Sequence, residues 1–184
     1  MDEFRFALTD EEKKYLKGLV RLSIVSYLKG ERGWTAPEPP TETLQEEFGA
    51  FVTLKIRERL RGCIGHLVGD KPIYLTVAEM ARAAAFQDPR FPPLKLAEYD
   101  MLDIEISILS PLTPCPDSEQ VEVGRHGLLI RKGGNSGLLL PQVATEWNWD
   151  RKTFLEHTCQ KAGLPSNAWK EPGSQLFWFE AEVF

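Results

Sequence analysis

The first clear pattern of apolar and polar positions along the chain has helical spacing. Between Leu16 and Leu28 the apolar residues recur every three or four positions, as they would on one face of an α-helix. Thr9 precedes this stripe, and Glu12 lies three residues after Thr9, which is the arrangement of a capping box at a helix start. Gly30 provides a stop. The pattern predicts one helix that begins near Thr9 and ends at Gly30.

A hairpin is predicted after an irregular, proline-rich loop over residues 31–41. Residues 48–56 are rich in apolar and β-favouring side chains, which is typical of a strand. The charged stretch Arg57–Arg59 is predicted to turn the chain back into a second strand, the hexapeptide Leu60–Gly65. Such a turn would break up any continuous cationic stripe along the two strands.

A helix and a third strand complete this first half of the chain. Pro72 suits the first turn of a helix whose apolar and alanine-rich pattern reaches Phe86. The stretch Asp88–Pro93 cannot continue that helix, because proline lacks an amide donor and fixes φ. Residues 102–110 then alternate between apolar and polar side chains, which predicts a half-buried strand.

The second half of the chain repeats this order. A hairpin, a helix capped by Asp150 and a closing strand are predicted at residues 127–142, 150–163 and 175–184, with a glycine-rich turn at 132–137. The prediction is a single domain over residues 1–184 with an internal structural repeat, 48–110 and 127–184. Short antiparallel hairpins with helices packed to one side are typical of an α+β fold with a mostly antiparallel sheet.

Composition excludes several classes of function. The 184 residues carry a net charge of −5, so the chain lacks the basic footprint of non-specific nucleic-acid binding. No run approaches the roughly 18 apolar residues that span a membrane. No signal peptide is evident in Met1–Arg5, and three scattered cysteines do not form a disulfide framework. We therefore expect reduced thiols and a cytoplasmic location.

The hexapeptide Leu60–Gly65 carries the candidate chemistry. On an extended strand Arg61 and Cys63 point to one face, and a guanidinium beside a thiol favours the reactive thiolate. Gly62 and Gly65 leave room for a neighbouring backbone or a ligand to approach. We expect this face to lie at the mouth of a cleft that the loop Asp88–Phe91 closes. The alternative is a packed strand in which the cysteine serves as a small apolar residue.

Three kinds of site can be considered on these residues. A metal site would use Cys63 and His66 with His157 and Cys159, but the spacing of each pair points its two side chains apart, so we expect no metal site. A nucleophilic or redox site would use Cys63, with Arg61 as charge partner, His157 or His66 as base, and Asp88 as orienting group. A binding site would use Arg61 and Arg90 to hold an anionic group.

Motifs along nearly the whole chain resemble those of one family. The hexapeptide is preceded by Phe51–Leu54 and followed by further matching stretches, in order: Ala83–Phe86 running into Asp88–Phe91, Ser107–Ser110, Leu140–Val143, and Lys161–Leu164 with Cys159 before it. This set resembles the AMMECR-type domain family, also called protein A of the AmmeMemoRadiSam system. The resemblance implies a curved, barrel-like mixed sheet in two unequal lobes.

The resemblance carries over no established reaction and no particular cofactor. It implies that this protein acts in a modification pathway together with a Memo-like protein and a radical-SAM enzyme. Our leading hypothesis is a pathway component with a small-molecule or protein-modification site at the hexapeptide, and the alternative is a non-catalytic adaptor or ligand-binding module for such a partner. The catalytic candidates are Cys63, Arg61 and His157, and the binding candidates are Gly62, Gly65, His66, Asp88 and Arg90.

Overall fold

The computed structural model describes residues 7–184, so the Met1–Arg5 stretch considered above lies outside it. Two compact units make up the chain. The first contains the residues up to Leu109 together with Glu182–Phe184, and the second contains Ser110–Ala181. Within residues 7–184, none of the helices combines the length and the apolar character that a membrane crossing needs.

The first unit is a three-stranded antiparallel sheet covered by two long helices. Its central strand β1 pairs with β2 on one side and with β3 on the other. The core lies between the helices and the sheet and includes Leu16, Val52, Val77 and Ile106, all fully buried. The elements are α1 (Asp10–Leu28), β1 (Gly49–Ile56), β2 (Arg59–His66), α2 (Ile73–Phe86), α3 (Leu96–Tyr99) and β3 (Leu102–Leu109), with a 3₁₀ turn at Glu42–Gln45.

The second unit has a hairpin and a long strand packed with two helices. Strand β5 pairs antiparallel with β6 and with β7, and the short β4 also pairs with β7. Leu128, Phe154 and Leu155 are buried at its core. The elements are β4 (Thr113–Pro114), β5 (His126–Lys132), β6 (Asn135–Leu139), α4 (Pro141–Glu146), α5 (Arg151–Lys161) and β7 (Gln175–Val183), with 3₁₀ turns at Ser118–Gln120 and Ala168–Lys170.

The start of α1 confirms the capping box predicted from the sequence. The amide N–H of Glu12 donates to the Thr9 hydroxyl at 3.2 Å, and the amide N–H of Thr9 donates to the Glu12 carboxylate at 2.7 Å. Each contact satisfies a backbone donor that has no partner within the first helical turn. The helix ends at Leu28, and Gly30 follows with a φ of 72°.

The first hairpin turns at Arg57 and Glu58, as predicted, but with a backbone that neither residue favours. Their φ angles are 49° and 65°, the left-handed values of a two-residue hairpin turn that usually contains asparagine and glycine. Lys55 pairs with Glu105 on β3, and the strand direction reverses at the turn. The four basic residues between Lys55 and Arg61 therefore do not form one stripe.

Two boundaries predicted for the second hairpin differ from those in the structure. Strand pairing continues to Lys132 and Asn135, so the turn contains only Gly133 and Gly134 and is shorter than the predicted 132–137. The predicted strand to Gln142 is wrong at its end, because β6 stops at Leu139 and Pro141 begins α4. Proline at the first position of a helix fixes a helical φ without losing a helical hydrogen bond, so Pro141 suits the start of α4.

The fold class predicted from the sequence is confirmed. The strands described in each unit pair antiparallel, and helices accompany them, which defines an α+β fold. Each unit contains a hairpin, then helix, then a strand, in the order that the sequence pattern indicated. The first unit places the hexapeptide on β2, beside the loop that follows α2.

Candidate functional site

A β-bulge shapes the hexapeptide. Leu54 of β1 faces Gly62 and Lys55 faces Leu60, so Arg61 is one extra residue on β2 with no partner across the ladder. Such an insertion bends the strand and redirects the side chain of the extra residue. The contacts that Arg61 makes with the neighbouring loop, and not simple strand alternation, therefore set the direction of its guanidinium.

The two glycines of the hexapeptide are required by close packing. A Cβ on Gly62 would lie 2.0 Å from the carbonyl oxygen of Ala84 in α2. A Cβ on Gly65 would lie 2.2 Å from the ring of Phe51, its partner on β1. Gly62 thus lets helix α2 approach the strand backbone, and Gly65 gives space to an aromatic ring. The approach predicted for a neighbouring backbone is present at Gly62.

The loop after α2 fixes the backbone of Cys63. The amide N–H of Cys63 donates to Asp88 Oδ2 at 2.9 Å, and Arg90 Nη2 donates to the carbonyl oxygen of Cys63 at 3.3 Å. Asp88 and Arg90 are themselves joined, with Arg90 Nη2 2.7 Å from Asp88 Oδ2 and Arg90 Nε 3.0 Å from Oδ1. We call these three residues the Cys63 clamp. It provides hydrogen-bond partners for the amide N–H and the carbonyl oxygen of Cys63 on the side of β2 that faces away from β1.

The carboxylate of Asp88 is ionised within this clamp. Its side chain is 2% exposed, and it accepts hydrogen bonds from Cys63 and from the side chain and backbone of Arg90. The guanidinium of Arg90 is the main reason that the pKa of Asp88 lies far below its usual range, despite the burial that opposes ionisation. Removing this charge would leave the Arg90 guanidinium and the Cys63 amide N–H with poorer partners.

Arg61 is held by a second carboxylate. Its Nε and Nη2 donate to the two oxygens of Glu98 at 2.8 and 3.1 Å, and Nη2 also donates to the carbonyl oxygen of Pro92 at 2.9 Å. This pairing lowers the pKa of Glu98. Nη1 of Arg61 is buried with no hydrogen-bond partner among residues 7–184. Because Glu98 offsets the charge of Arg61, that charge is not available to stabilise a thiolate.

The thiol of Cys63 is neutral in this setting. Burial raises its pKa above the usual value, and the hydrogen bond from Thr53 and the charge of Arg90 only partly offset this. The hydroxyl of Thr53, which faces Cys63 across the β1–β2 ladder, donates to Sγ at 3.1 Å. The expectation that the neighbouring Arg61 would favour a Cys63 thiolate is therefore wrong, because desolvation has the larger effect on the pKa of the thiol.

The two candidate histidines make contacts of their own. His66 ends β2, is exposed, and lies 3.4 Å from Asp70. His157 belongs to α5 in the second unit, where its ring stacks on Trp149 with centroids 3.9 Å apart. Within residues 7–184, no three His, Cys, Asp or Glu side chains are grouped as a metal ion would require. The role of His157 as a base stays a prediction.

Sequence reasoning missed three contributors to this site. Glu98 pairs with Arg61, and Thr53 donates to Cys63. The ring centroid of Phe91 lies 5.9 Å from the Arg61 guanidinium and 5.6 Å from that of Arg90. The register of a hairpin could have indicated Thr53, because the turn at Arg57–Glu58 fixes which residues face each other. Nothing in the spacing indicated Glu98, which lies on the separate short helix α3.

The fold and site together define an α+β domain whose edge strand carries a bulged arginine and a clamped cysteine. The AMMECR1 family model matches residues 18–184, and the chain belongs to this family. The similarity extends to "Protein MK0488" of Methanopyrus kandleri, which is 44% identical over 186 residues covering 96% of this chain and 89% of that protein. "Protein TK0174" of Thermococcus kodakarensis is 41% identical over 189 residues, with 97% and 92% covered.

A crystal structure supports the same fold. The uncharacterised protein PH0010 from Pyrococcus horikoshii superposes with a TM-score of 0.87 at 40% sequence identity, over 97% of this chain and 93% of that one. The family and the α+β fold expected from the motifs are thus confirmed.

Proposed function

We propose that this chain is a non-catalytic binding module whose binding surface is the loop Asp88–Pro93 beside the edge strand β2. The observation that carries the proposal is the state of the Cys63 clamp. The thiol is half-buried and neutral, because desolvation raises its pKa, and the two neighbouring guanidiniums are each paired with a carboxylate. A site built for nucleophilic attack needs an activated thiolate and an adjacent base.

The contact to Sγ argues for the same conclusion. The group that hydrogen-bonds the sulfur is the Thr53 hydroxyl, which donates and therefore does not act as a base. The nearby Asp88 carboxylate accepts from the Cys63 amide and from Arg90, so its oxygens are occupied. These contacts support a structural role for Cys63 and favour the alternative hypothesis over a catalytic cysteine.

The loop has the properties of a preformed binding surface. The Arg90 side chain is 53% exposed although its guanidinium is fixed by Asp88, so a charged group is displayed at a defined position. Pro92 and Pro93 are exposed and restrict the backbone, and the Phe91 ring lies near the guanidiniums of Arg61 and Arg90. Fixing a surface before binding reduces the entropy lost on association. The ligand we propose presents a neutral carbonyl acceptor to the Arg90 guanidinium, because Asp88 already offsets the charge of Arg90.

The partner that we propose to examine first is a Memo-like protein, with a radical-SAM enzyme as the next candidate. Both come from the family resemblance, together with the proposed place in a modification pathway. Metabolite profiles of strains lacking this gene, the Memo-like gene or the radical-SAM gene would test that place. A shared change supports one pathway, and unrelated changes contradict it.

Complementation of the deletion strain tests the binding surface against the catalytic cysteine. Cys63→Ser keeps an acceptor for Thr53 but removes the thiol, so we expect it to restore the wild-type metabolite profile. Pro93→Glu changes only an exposed position of the loop and is expected to fail. Pro172→Glu, at an exposed proline of the second unit, is the matched control and is expected to restore the profile.

Thermal unfolding of each purified variant accompanies the profiles. Failure of Cys63→Ser with normal unfolding would contradict the proposal and return Cys63 to the mechanism. Restoration by Pro93→Glu would remove the loop as the binding surface.

A further inference from the structure

The first unit also contains a groove lined by residues of α2 and of the loop before β1. The segment around Trp34 and Ala36 forms one wall, and Leu75, Met80, Arg82 and Ala83 of α2 form the other. Its volume is about 420 Å³, within the range of small-molecule sites. We call it the Trp34 groove. It shares no residue with the Cys63 clamp or with the loop Asp88–Pro93.

Arg82 is fixed in the groove without a carboxylate partner. Its Nε donates to the carbonyl oxygen of Ser23 at 3.2 Å and its Nη2 to the hydroxyl of Ser26 at 2.8 Å. Its guanidinium carbon lies 4.8 Å from the centroid of the Trp34 ring. All of these partners are neutral, and no carboxylate pairs with Arg82 within the part of the chain that the structure describes.

The other charge in the groove is already offset. Glu79 lies 2.5 Å from Lys71 Nζ, so its carboxylate has a cation beside it. The uncompensated charge of the groove is therefore positive and belongs to Arg82. A guanidinium fork is suited to a carboxylate, which it can bind through two parallel hydrogen bonds.

The apolar side chains that line the groove favour a ligand with an apolar body. Trp34 is half-buried, Leu75 is 38% exposed although it lies on a helix that is otherwise well packed, and Met80 is an adaptable apolar side chain. A ligand that covers exposed apolar surface inside a groove gains binding free energy by removing that surface from water. Positive charge and apolar walls together define the chemistry of the occupant.

We propose that the Trp34 groove binds a small monocarboxylate with an apolar body. The carboxylate meets the Arg82 guanidinium, and the apolar body lies between Trp34 on one wall and Leu75 and Met80 on the other. The volume suits a small molecule better than a folded partner. This proposal is independent of the binding surface proposed above, because the two sites use different residues.

Isothermal titration of the full chain with octanoate tests the proposal. We expect saturable binding of one octanoate, with much weaker binding of octanol, which lacks the charge, and of acetate, which lacks the apolar body. Arg82→Gln is expected to weaken octanoate binding about tenfold or more, the equivalent of losing a charge-assisted contact. Arg131→Gln is the matched control, because Arg131 is an exposed arginine that also lies over an aromatic ring, 5.4 Å from that of Phe177.

A second variant covers the case in which Arg82→Gln fails to fold. Ala36→Phe fills the groove from its half-exposed wall, so binding should be lost while thermal unfolding stays close to that of the wild type. The proposal is overturned if octanoate shows no saturable binding, if octanol binds as well as octanoate, or if Ala36→Phe leaves octanoate binding unchanged.

Discussion

The two hairpins of this protein use glycine in the same way. In the first, a Cβ on Gly62 would lie 2.0 Å from the Ala84 carbonyl oxygen of α2. In the second, a Cβ on Gly137 would lie 2.4 Å from the backbone nitrogen of Ala162, at the end of α5. Both glycines lie on the second strand of their hairpin, and both allow a helix backbone to approach the strand.

In each unit an aromatic ring also faces a glycine on a neighbouring strand. Phe51 faces Gly65 across the β1–β2 ladder, and Phe179 faces Gly127 across the β5–β7 ladder. A Cβ at either glycine would lie 2.2 Å from the facing ring. Because this arrangement occurs in both units, the glycines of the hexapeptide are explained by folding, and their presence in the motif does not by itself indicate a site.

The difference between the hairpins lies in the residue that follows the packed glycine. In the second hairpin it is Leu138, a half-buried aliphatic side chain. In the first it is Cys63, whose backbone is held by Asp88 and Arg90. The comparison separates the hexapeptide into glycines that serve packing and a cysteine and arginine that are particular to the first unit. Any function specific to the motif therefore belongs to the second group.

The largest expected effect comes from adding one methyl group at a packed glycine. Gly62→Ala and Gly137→Ala should each lower the free energy of unfolding by about 3 kcal/mol or more, because the nearest atom is backbone and does not move aside. Urea denaturation measures the loss. Gly18→Ala is the control, since Gly18 lies on the exposed face of α1 with no atom within 4 Å, and it should gain about 0.5–1 kcal/mol. A loss at Gly137 without a loss at Gly62 would break the parallel between the hairpins.

Removal of the Asp88 charge tests the feature that the second hairpin lacks. Asp88→Asn should lower the free energy of unfolding by about 1–3 kcal/mol at neutral pH, because the Cys63 amide and the half-exposed Arg90 guanidinium lose the charge of a buried acceptor. The exposed Asp100→Asn is the control and should change stability little.

The pH dependence of that loss follows from the lowered pKa of Asp88. The unfolded carboxyl titrates near 3.8, and the folded one below that. The stabilisation is therefore complete above the unfolded pKa and is lost as the pH falls through it towards the folded pKa. The difference in stability between the wild type and Asp88→Asn should shrink on acidification below about pH 4. A constant difference across that range would show that the charge is not its cause.

The turn of the first hairpin offers a smaller gain. Glu58 has a φ of 65°, which glycine adopts without steric cost. Glu58→Gly should therefore raise the free energy of unfolding by about 1 kcal/mol. Glu38→Gly, in the exposed loop before β1, should give no gain. A loss at Glu58 would indicate that its side chain makes a contact worth more than the strained backbone costs.

The smallest expected effect concerns His126 in the second unit. Its Nδ1 accepts the Glu122 amide N–H at 3.0 Å, and burial and Arg125 lower its pKa, against the opposing charges of Glu122 and Glu180. Stability should therefore be unaffected above about pH 6.5 and fall by up to about 1 kcal/mol as the pH drops below it. His126→Gln should lose this dependence, whereas the exposed His66→Gln should keep it.

Local patterns explain how much could be predicted from the sequence. The capping box at Thr9, the proline stop after Phe86 and the alternation of residues 102–110 each act within a few residues, so their elements were predicted near the observed bounds. The glycines were correctly assigned to close approach. The α4 helix was missed because its proline start followed directly on an apolar strand.

The chemistry of the site could not be predicted in the same way. The pairing of Arg61 with Glu98 joins residues 37 positions apart, and the bulge that redirects Arg61 depends on a register shift between two strands. Sequence proximity suggested that Arg61 would stabilise a Cys63 thiolate. Desolvation, which depends on the packing around the sulfur, has the larger effect and raises the pKa instead.

The alkylation rate of Cys63 as a function of pH tests the central claim most directly. Iodoacetamide reacts with the thiolate, and peptide mass spectrometry distinguishes Cys63 from Cys115 and from the fully buried Cys159. A neutral, desolvated thiol should react more slowly at pH 7 than a free model thiol, with a rate that still rises above pH 9.0, the usual pKa of the group. A rate that reaches its plateau below neutral pH would contradict the account and identify Cys63 as an activated nucleophile.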